Sequence, residues 1–298
     1  MSEIIHTPVL LQEVIDGLSV RARGRYIDAT LGFGGHTRGI LDTAKGTSVL
    51  GIERDPEVAR QAKLALRSYG DRVKVVTSSY EQLSEVATAT DEHTYDGIVF
   101  DLGYSSWHVD ESGKGFSFRK DEPLDMRYNP KETSETAGDI INTWNEEELF
   151  HIFATFGEER TSASRRIARA IVQARKGGRN KIRTTGELVG IIEQEVAHRK
   201  HKIHPATLIF QALRIVVNDE LGTLQRTLPQ TLDVIKPGGK IAIISFHSLE
   251  DRIVKRFFAY FDTTQLWVMT KRPITPTGRE IETNPRARSA KLRIAQRV

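Results

Sequence analysis

The sequence predicts an α/β fold in which a Rossmann-like sheet of mostly parallel strands is interrupted by an inserted all-helical domain. Short apolar runs alternate with helical segments through about the first hundred residues, the pattern of parallel βαβ units. From residue 113 to residue 202 the chain is polar and helix-like without a convincing strand, and apolar strands then return. We therefore expect a discontinuous domain over residues 1–112 and 206–298, with a helical domain inserted over residues 113–205.

The individual elements follow from hydrophobic period and from turn residues. Predicted strands are 25–28, 47–53, 72–76, 95–101, 240–245, 265–270 and 291–295. Asp55 before Pro56 predicts a capped helix start, and Pro237-Gly238-Gly239 predicts a turn before the fifth strand. Helices are predicted over 146–156, 162–175 and 185–197, and a long apolar helix is expected to open at His204.

Composition excludes several functional classes. The 298 residues include no cysteine, which excludes disulfides, thiolate metal sites and a cysteine nucleophile. The histidines show no metal-ligand spacing, so no metal is expected. The N-terminus lacks the basic and apolar regions of a signal peptide, and no apolar run approaches the length of a membrane span. A soluble, cytoplasmic protein is the expectation.

Positive charge is concentrated in one segment. Residues 160–204 carry twelve Lys or Arg against three Glu, a net charge of +9, whereas the whole chain has only +4. An excess this local favours a surface that faces RNA or DNA. The alternative is a solvated helical face that serves solubility. Arg165 and Arg169, one helical turn apart, are the candidate phosphate contacts.

A glycine cluster follows the first predicted strand. Gly32, Gly34 and Gly35 allow a sharp turn and a close approach of the backbone to a ligand, and a helix can begin directly after them. Thr37 stands where a dinucleotide fingerprint requires its third glycine. The loop therefore predicts binding of a nucleotide-like cofactor, but it is poorly suited to binding a pyrophosphate group.

Polar and aromatic side chains follow the other strands. Because the carboxyl ends of parallel strands meet at one edge, we expect these side chains near the cofactor. Glu53 is placed to accept hydrogen bonds from ribose hydroxyls, Tyr80 to lie against an adenine face, and Asp28 and Asp101 to hold charged or polar groups or to cap turns. Nicotinamide dinucleotides and S-adenosylmethionine both fit the loop and Glu53. The missing glycine and the antiparallel-looking C-terminal run favour S-adenosylmethionine.

A second cluster, Ser245 to Arg252, leaves the fifth strand at the same edge. Its Ser, His and acidic residues raise the question of nucleophilic hydrolysis, but no Gly-x-Ser-x-Gly elbow occurs in the chain. Ser248 is the expected helix cap. Phe246 and His247 are candidate contacts to a nucleic-acid substrate.

Ordered motifs across nearly the whole chain resemble the bacterial RsmH (MraW) methyltransferases. They are His6 to Leu11, Asp28 to His36, Phe100 to Ser106, Gly115 to Phe118, Pro123 to Arg127, Gly157 to Arg160, His204 to Thr207, Ser245 to Arg252 and Asn284 to Ser289. The resemblance implies a class I S-adenosylmethionine-dependent methyltransferase fold. It also implies methylation of the N4 amine of a cytidine in the decoding region of 16S rRNA, either as free RNA or in the assembling small ribosomal subunit.

The resemblance implies cofactor contacts from seven positions: Gly34, Gly35, His36, Glu53, Tyr80, Asp101 and His108. Glu53, Trp107 and His108 stand where the family commonly has Asp, Pro and Gln, and Tyr104 replaces a smaller residue. We expect Asp101 and Tyr104 to form the catalytic pair. Asp101 would position the amine or the cofactor, and Tyr104 or Phe246 would stack on an extruded base.

Two other functions share part of this pattern. A nicotinamide-dependent oxidoreductase would explain the glycine loop and Glu53 but leaves the basic segment unexplained. A non-catalytic RNA-binding ribosome assembly factor would explain the basic segment but not the ordered side chains at the strand ends.

Overall fold

The computed structural model describes residues 8–90, 94–157, 161–176, 181–196 and 204–298. Contacts between Cα atoms divide the chain into two compact units. The first comprises Met1–Gly103 and Leu221–Val298, and the second comprises Tyr104–Glu220. Arg160, Arg179, Arg199, Lys200 and Lys202 of the basic segment, together with His6, lie outside the described residues.

The first unit contains the sheet. Its strands are β1 (Arg25–Asp28), β2 (Ser48–Glu53), β3 (Val73–Thr77), β4 (Tyr95–Asp101), β5 (Ile235–Ser245), β6 (Leu266–Val268) and β7 (Lys291–Arg297). Before the second unit its helices are α1 (Leu11–Leu18), α2 (Gly35–Thr43), α3 (Pro56–Ala65) and α4 (Leu83–Thr88). The second unit contains α5 (Ser106–Asp110), α6 (Ala137–Thr143), α7 (Glu146–Thr155), α8 (Thr161–Ala174), α9 (Thr185–Val196) and α10 (Pro205–Asn218). After it come α11 (Glu220–Thr227), α12 (Thr231–Val234), α13 (Ser248–Phe261) and α14 (Gly278–Thr283).

The seven strands form one sheet in the order β3-β2-β1-β4-β5-β7-β6. Neighbours from β3 to β5 are parallel, whereas β7 runs antiparallel to both β5 and β6. The strand order reverses direction between β1 and β4, the switch point at which open α/β sheets bind ligands. This arrangement confirms the predicted Rossmann-like fold.

Two apolar layers cover the sheet because its central strands are buried on both faces. In β4, Ile98 and Phe100 face one core with Phe258 of α13. Val99 faces the other core with Ile40 of α2. The strand ends agree with the sequence prediction to within about two residues, except that β5 already begins at Ile235.

The predicted Pro-Gly-Gly turn is a bulge inside β5. Pairing with β4 passes from Tyr95–Ile235 to Gly97–Lys240, so residues 236–239 leave the regular ladder. Gly238 has a φ of 80°, which a glycine adopts without strain.

The second unit is built around a helical core. Phe153 of α7, Ile167 of α8, Ile192 of α9 and Leu213 of α10 are each completely buried in it. Asn145 starts α7 with a capping box, in which its side chain accepts from the backbone of Glu148 while the Glu148 carboxylate accepts from that of Asn145. None of the helices in the described part of the chain combines the length and the apolar composition of a membrane span.

The unit boundaries differ from the predicted domain boundaries of 113 and 205. The second unit already begins at Tyr104 and extends to Glu220, so α5 and α10 belong to it. Helix α10 was expected with the sheet, but Ile209, Leu213 and Val217 pack in the helical core. Apolar periodicity predicts a buried helix face without indicating which core receives it.

Candidate active site

Three carboxylates end three neighbouring strands. Asp28 is the last residue of β1, Glu53 of β2 and Asp101 of β4. These strands lie side by side and parallel, with Asp28 in register with Gly51 and Val99. Their carboxyl ends therefore form one edge, as the sequence predicted, and the glycine loop leaves from the same edge.

The glycine loop turns through two left-handed residues. Gly32 has a φ of 52° and Gly34 a φ of 78°. A Cβ on Gly34 would lie 2.8 Å from Cδ1 of Leu66, so packing as well as φ requires glycine there. Gly34 caps α2 and Gly35 is its first residue, which leaves backbone N–H groups of the first helical turn at the loop.

Glu53 is held by the loop that it faces. Oε2 accepts from the backbone N of Gly32 at 2.8 Å, and Oε1 accepts from that of Asp55 at 2.9 Å. Burial raises the pKa of Glu53 to about 7, and the nearby Asp55 and Asp28 also raise it. Each oxygen of an ionised carboxylate has a second lone pair, so Glu53 can still accept two hydroxyl donors.

Asp28 and Asp101 each have an unsatisfied oxygen. Thr37 Oγ1 donates to Oδ2 of Asp28 at 2.7 Å. Within the described part of the chain, Oδ1 of Asp28 and Oδ1 of Asp101 are buried without a hydrogen-bond partner. Burial raises the pKa of both groups, that of Asp101 to about 6. Buried acceptors without a donor are costly unless a ligand supplies one.

His36 connects the N-terminal segment to the strand edge. Its Nε2 lies 2.9 Å from the carbonyl oxygen of Val9, so Nε2 carries a proton and donates there. Its Nδ1 lies 3.7 Å from Oδ2 of Asp101, which a protonated ring would approach as an ion pair. The backbone N of Asp101 donates to Oγ1 of Thr30 at 2.6 Å.

Tyr80 stands at the end of the loop after β3. Its ring meets Phe100 edge to face, with centroids 5.8 Å apart. Phe100 is completely buried, so it fixes the Tyr80 ring from the core side. The ring is thus held firmly enough to serve as one wall of a site for a planar base.

The residues present fit S-adenosylmethionine. Its sulfonium and ammonium groups are cationic, and the edge supplies three carboxylates, two of them with an unsatisfied oxygen. A cation at this edge would stabilise their ionised forms against burial. A pyrophosphate would instead meet like charge, which argues against a nicotinamide dinucleotide.

The cluster after β5 forms a helix start rather than a hydrolytic triad. His247, and not Ser248, is the N-cap of α13. Oε2 of Glu250 accepts from the backbone N of Phe246 at 2.8 Å, and Oε1 lies 3.1 Å from Nε2 of His247. Phe246 is half-buried against the apolar core that contains Val99. The acidic residue is engaged with this turn, so it does not support a nucleophilic serine.

His108 and Tyr104 belong to the second unit. Nδ1 of His108 accepts from the backbone N of Ser105 at 3.2 Å and lies 2.9 Å from Oγ of Ser105, which closes a capping box at the start of α5. The ring is buried between Phe116 and Tyr128. Its family-implied contact with the cofactor stays a prediction.

Arg165 and Arg169 lie one turn apart on α8, and each is paired with a glutamate of α7. Nη1 of Arg165 lies 2.6 Å from Glu147, and its guanidinium lies 4.0 Å from the ring centroid of Phe150. Nε of Arg169 lies 3.3 Å from Glu146. The positive charge of both arginines is therefore partly compensated, which the local charge count did not reveal.

The sequence did not predict three residues that orient the site through hydrogen bonds. Thr30, Thr37 and Glu250 orient Asp101, Asp28 and the turn at Phe246 through the hydrogen bonds above. Thr30 and Thr37 lie in or next to the glycine loop, so that motif was the available signal. Glu250 was visible only as part of a presumed helix start.

Comparison with known proteins gives a consistent family assignment. The model of the MraW methylase family matches residues 3–298. The chain is 46% identical to a protein of Cyanothece sp. over 99% of this chain and 96% of that protein, and 48% identical to one of Trichormus variabilis over 98% and 92%. It is 42% identical to one of Heliobacterium mobile over 99% and 100%. All three relatives are named Ribosomal RNA small subunit methyltransferase H.

A match over almost the full length, together with the sheet and its carboxylate edge, confirms the family resemblance found in the sequence. The chain belongs to the MraW methylase family and is a methyltransferase of the S-adenosylmethionine-dependent class.

Proposed function

We propose that this protein methylates the N4 amine of a cytidine in the decoding region of 16S rRNA, using S-adenosylmethionine. The names of the curated relatives support a small-subunit rRNA substrate. The observation that carries the chemistry is the edge of three carboxylates with raised pKa at the ends of β1, β2 and β4. A ribosomal substrate places the reaction in the cytoplasm, on free RNA or on an assembling subunit.

The first unit supplies most of the proposed cofactor contacts. Glu53 accepts from the ribose hydroxyls, and Tyr80 lies against the adenine. Gly34, Gly35 and His36 approach through the loop and the first turn of α2. The family resemblance also implies a contact from His108. Asp28 and Asp101 take the cationic groups. The cofactor supplies a methyl group on a positively charged sulfur, and these carboxylates stabilise that charge before transfer.

Asp101 has a second role at the acceptor. The lone pair of the cytosine amine is conjugated with the ring, so the amine is a poor nucleophile until its N–H groups are held by acceptors. Oδ1 of Asp101 is a buried acceptor without a partner among the described residues. With a pKa of about 6 in the free protein, Asp101 is ionised at neutral pH, so its carboxylate can accept a hydrogen bond from the amine and then the proton that the amine loses.

The rival functions explain less. A nicotinamide-dependent oxidoreductase would place a pyrophosphate against Asp28, Glu53 and Asp101. A non-catalytic assembly factor would have no use for buried, unsatisfied carboxylates beside a glycine loop. The basic residues of α8 fit all RNA-binding alternatives, so they support the substrate class and not the reaction.

Two measurements separate these functions. Isothermal titration should show binding of S-adenosylhomocysteine and not of NAD. Transfer of a labelled methyl group should reach 16S rRNA, and nuclease digestion should recover it as N4-methylcytidine. Binding of NAD instead would favour the oxidoreductase, and cofactor binding without transfer to either naked RNA or small subunits would contradict the proposal.

Replacing Asp101 tests its assigned role. We expect Asp101→Ala and Asp101→Asn each to lower kcat by at least about a hundredfold, because a lost acid–base group typically contributes that much. Circular dichroism should show that both variants fold. Near-normal turnover of Asp101→Asn would show that proton acceptance by this carboxylate is not needed.

A further inference from the structure

The second unit presents one exposed aromatic ring on a stack of buried rings. Tyr104 is 44% exposed, while Phe116 beneath it is 6% exposed. The two rings are stacked with centroids 6.3 Å apart, and Phe116 in turn stacks on Tyr128 at 5.3 Å. His108 closes the side of the stack, edge-on to Phe116 and Tyr128. The exposed ring therefore rests on a preformed aromatic support.

A buried arginine holds the same ring. The guanidinium of Arg214, on α10, lies 4.4 Å from the ring centroid of Tyr104, and Arg214 is only 7% exposed. Its Nη2 donates to Oε2 of Glu220 at 2.9 Å, and its Nε lies 2.8 Å from Oε1. The Tyr128 hydroxyl donates to Oε1 of Glu220 at 2.9 Å. Glu220 raises the pKa of Arg214, so the guanidinium under the ring stays cationic at every physiological pH.

Stability alone does not account for this network. A buried ion pair contributes little compared with apolar side chains of the same volume, because both charges lose their hydration. The hydrogen bond from Nη2 and the ion pair at Nε do, however, restrict the position of the guanidinium. The Tyr104 ring covers this guanidinium and stacks on Phe116, yet 44% of Tyr104 is still exposed. The exposed part of the ring can therefore contact another planar group.

We infer that Tyr104 is a nucleobase-stacking platform, and that Arg214 is the positioning residue that holds its ring in place. An aromatic face over a guanidinium is a general means of stacking unpaired RNA bases. Tyr104 follows Asp101 by three residues in the chain, which favours the target cytosine as the stacked base. The identity of that base rests on the proposed function, whereas the stacking of a base rests on the cluster itself.

A fluorescent base tests the platform directly. The probe is an oligoribonucleotide of the decoding region with pyrrolocytosine at the target position, added to protein saturated with S-adenosylhomocysteine. We expect quenching with the unmodified protein and with Tyr104→Phe. We expect Tyr104→Leu to lose the quenching and to bind the RNA about ten- to a hundredfold more weakly, the usual effect of removing one stacking contact.

Tyr260→Leu is the matched control, because Tyr260 is 79% exposed on α13 of the first unit. It should quench and bind like the unmodified protein. The affinity for S-adenosylhomocysteine should stay within twofold in every variant. Unchanged quenching by Tyr104→Leu, or an equal loss in Tyr104→Phe, would overturn the platform.

A double-mutant cycle tests Arg214. We expect Arg214→Met to raise KM for RNA severalfold at similar kcat. In the Tyr104→Leu background, the same substitution should raise KM by less than twofold. An equal effect in both backgrounds would show that Arg214 acts independently of Tyr104. Because Tyr104 is exposed, its own variants test the platform even if Arg214→Met does not fold.

The experiments distinguish a failure of the proposed function from a failure of the stacking platform. If the enzyme methylates a different nucleotide but quenching still depends on Tyr104, the platform stands and the assigned target is wrong. If methylation of the cytidine is confirmed and Tyr104→Leu is indistinguishable from Tyr260→Leu, the target stands and the platform is wrong.

Discussion

At the scale of single residues, the site is defined by carboxylates that the fold makes difficult to ionise. Acidic residues are common at the ends of strands, so Asp28, Glu53 or Asp101 taken alone could be an ordinary turn residue. Burial raises the pKa of all three. A cluster of such groups at one sheet edge indicates a site for a ligand that supplies positive charge and hydrogen-bond donors.

Glu53 should make cofactor binding depend on pH. Its pKa of about 7 in the free protein falls when ribose hydroxyls donate to it, so binding releases a proton. We expect the affinity for S-adenosylhomocysteine to be constant above about pH 8 and to fall by up to about tenfold per pH unit below pH 7.

Titration calorimetry in buffers of different ionisation enthalpy measures this proton release. Glu53→Gln should flatten the pH dependence between pH 6 and 8, leaving the contributions of Asp28 and Asp101 nearby. Glu57→Gln, on the exposed side of α3, is the control and should titrate like the unmodified protein. If the affinity of Glu53→Gln depends on pH as strongly as that of the unmodified protein, the titrating group is not Glu53.

At the scale of secondary-structure elements, α7 and α8 together decide how much positive charge the second unit presents. Arg165 and Arg169 are paired with Glu147 and Glu146, so the local excess of basic residues overstates the field that RNA would meet. Exposed pairs of this kind are worth only about 0–1 kcal/mol, so a phosphate can compete for either arginine.

Removing the glutamates should strengthen RNA binding. We expect Glu146→Gln with Glu147→Gln to raise the affinity for 16S rRNA severalfold and to steepen its salt dependence, because the freed arginines gain phosphate contacts. Arg165→Glu with Arg169→Glu should lower the affinity and leave cofactor binding unchanged. Filter binding across a salt series measures both.

The control carries the same change in net charge elsewhere. Glu57→Gln with Glu85→Gln alters exposed positions on α3 and α4 of the first unit. If this pair strengthens RNA binding as much as the α7 pair does, total charge and not the α8 surface governs affinity. If reversal of both arginines leaves RNA binding unchanged, α8 is a solubility face.

At the scale of the whole molecule, each of the two units has its own apolar packing. The helical core is composed of residues from the second unit, whereas the cores on the two faces of the sheet are composed of residues from the first. The carboxylate edge depends on the sheet alone, since Asp28, Glu53 and Asp101 all end its strands.

Cavities of similar size in the two units should show which of them supports cofactor binding. Phe153→Ala in the helical core and Phe258→Ala under the sheet each remove a fully buried ring, at a cost of about 3–5 kcal/mol. We expect both variants to unfold at lower urea concentration. Only Phe258→Ala should weaken binding of S-adenosylhomocysteine, measured by calorimetry. A tenfold loss of cofactor affinity in Phe153→Ala would show that the helical core supports the cofactor edge as well.

The order of residues along the chain was sufficient to predict most of the sheet. Buried strands such as Tyr95–Asp101 require uninterrupted apolar runs, and the glycines of the loop have φ values that other residues rarely adopt. The three carboxylates were found because parallel strands bring their ends together whatever the details of packing. The family resemblance then supplied the reaction, which no local pattern contains.

Long-range packing decided the rest. Helix α10 has an apolar face that either unit could bury, and only the folded chain assigns it to the helical core. Arg165 pairs with Glu147, and Arg214 supports Tyr104. Both contacts join residues that are far apart in sequence, so no sequence motif predicts them. The raised pKa of Glu53 likewise depends on burial by the whole first unit, because desolvation is a property of the surrounding fold and not of the residue.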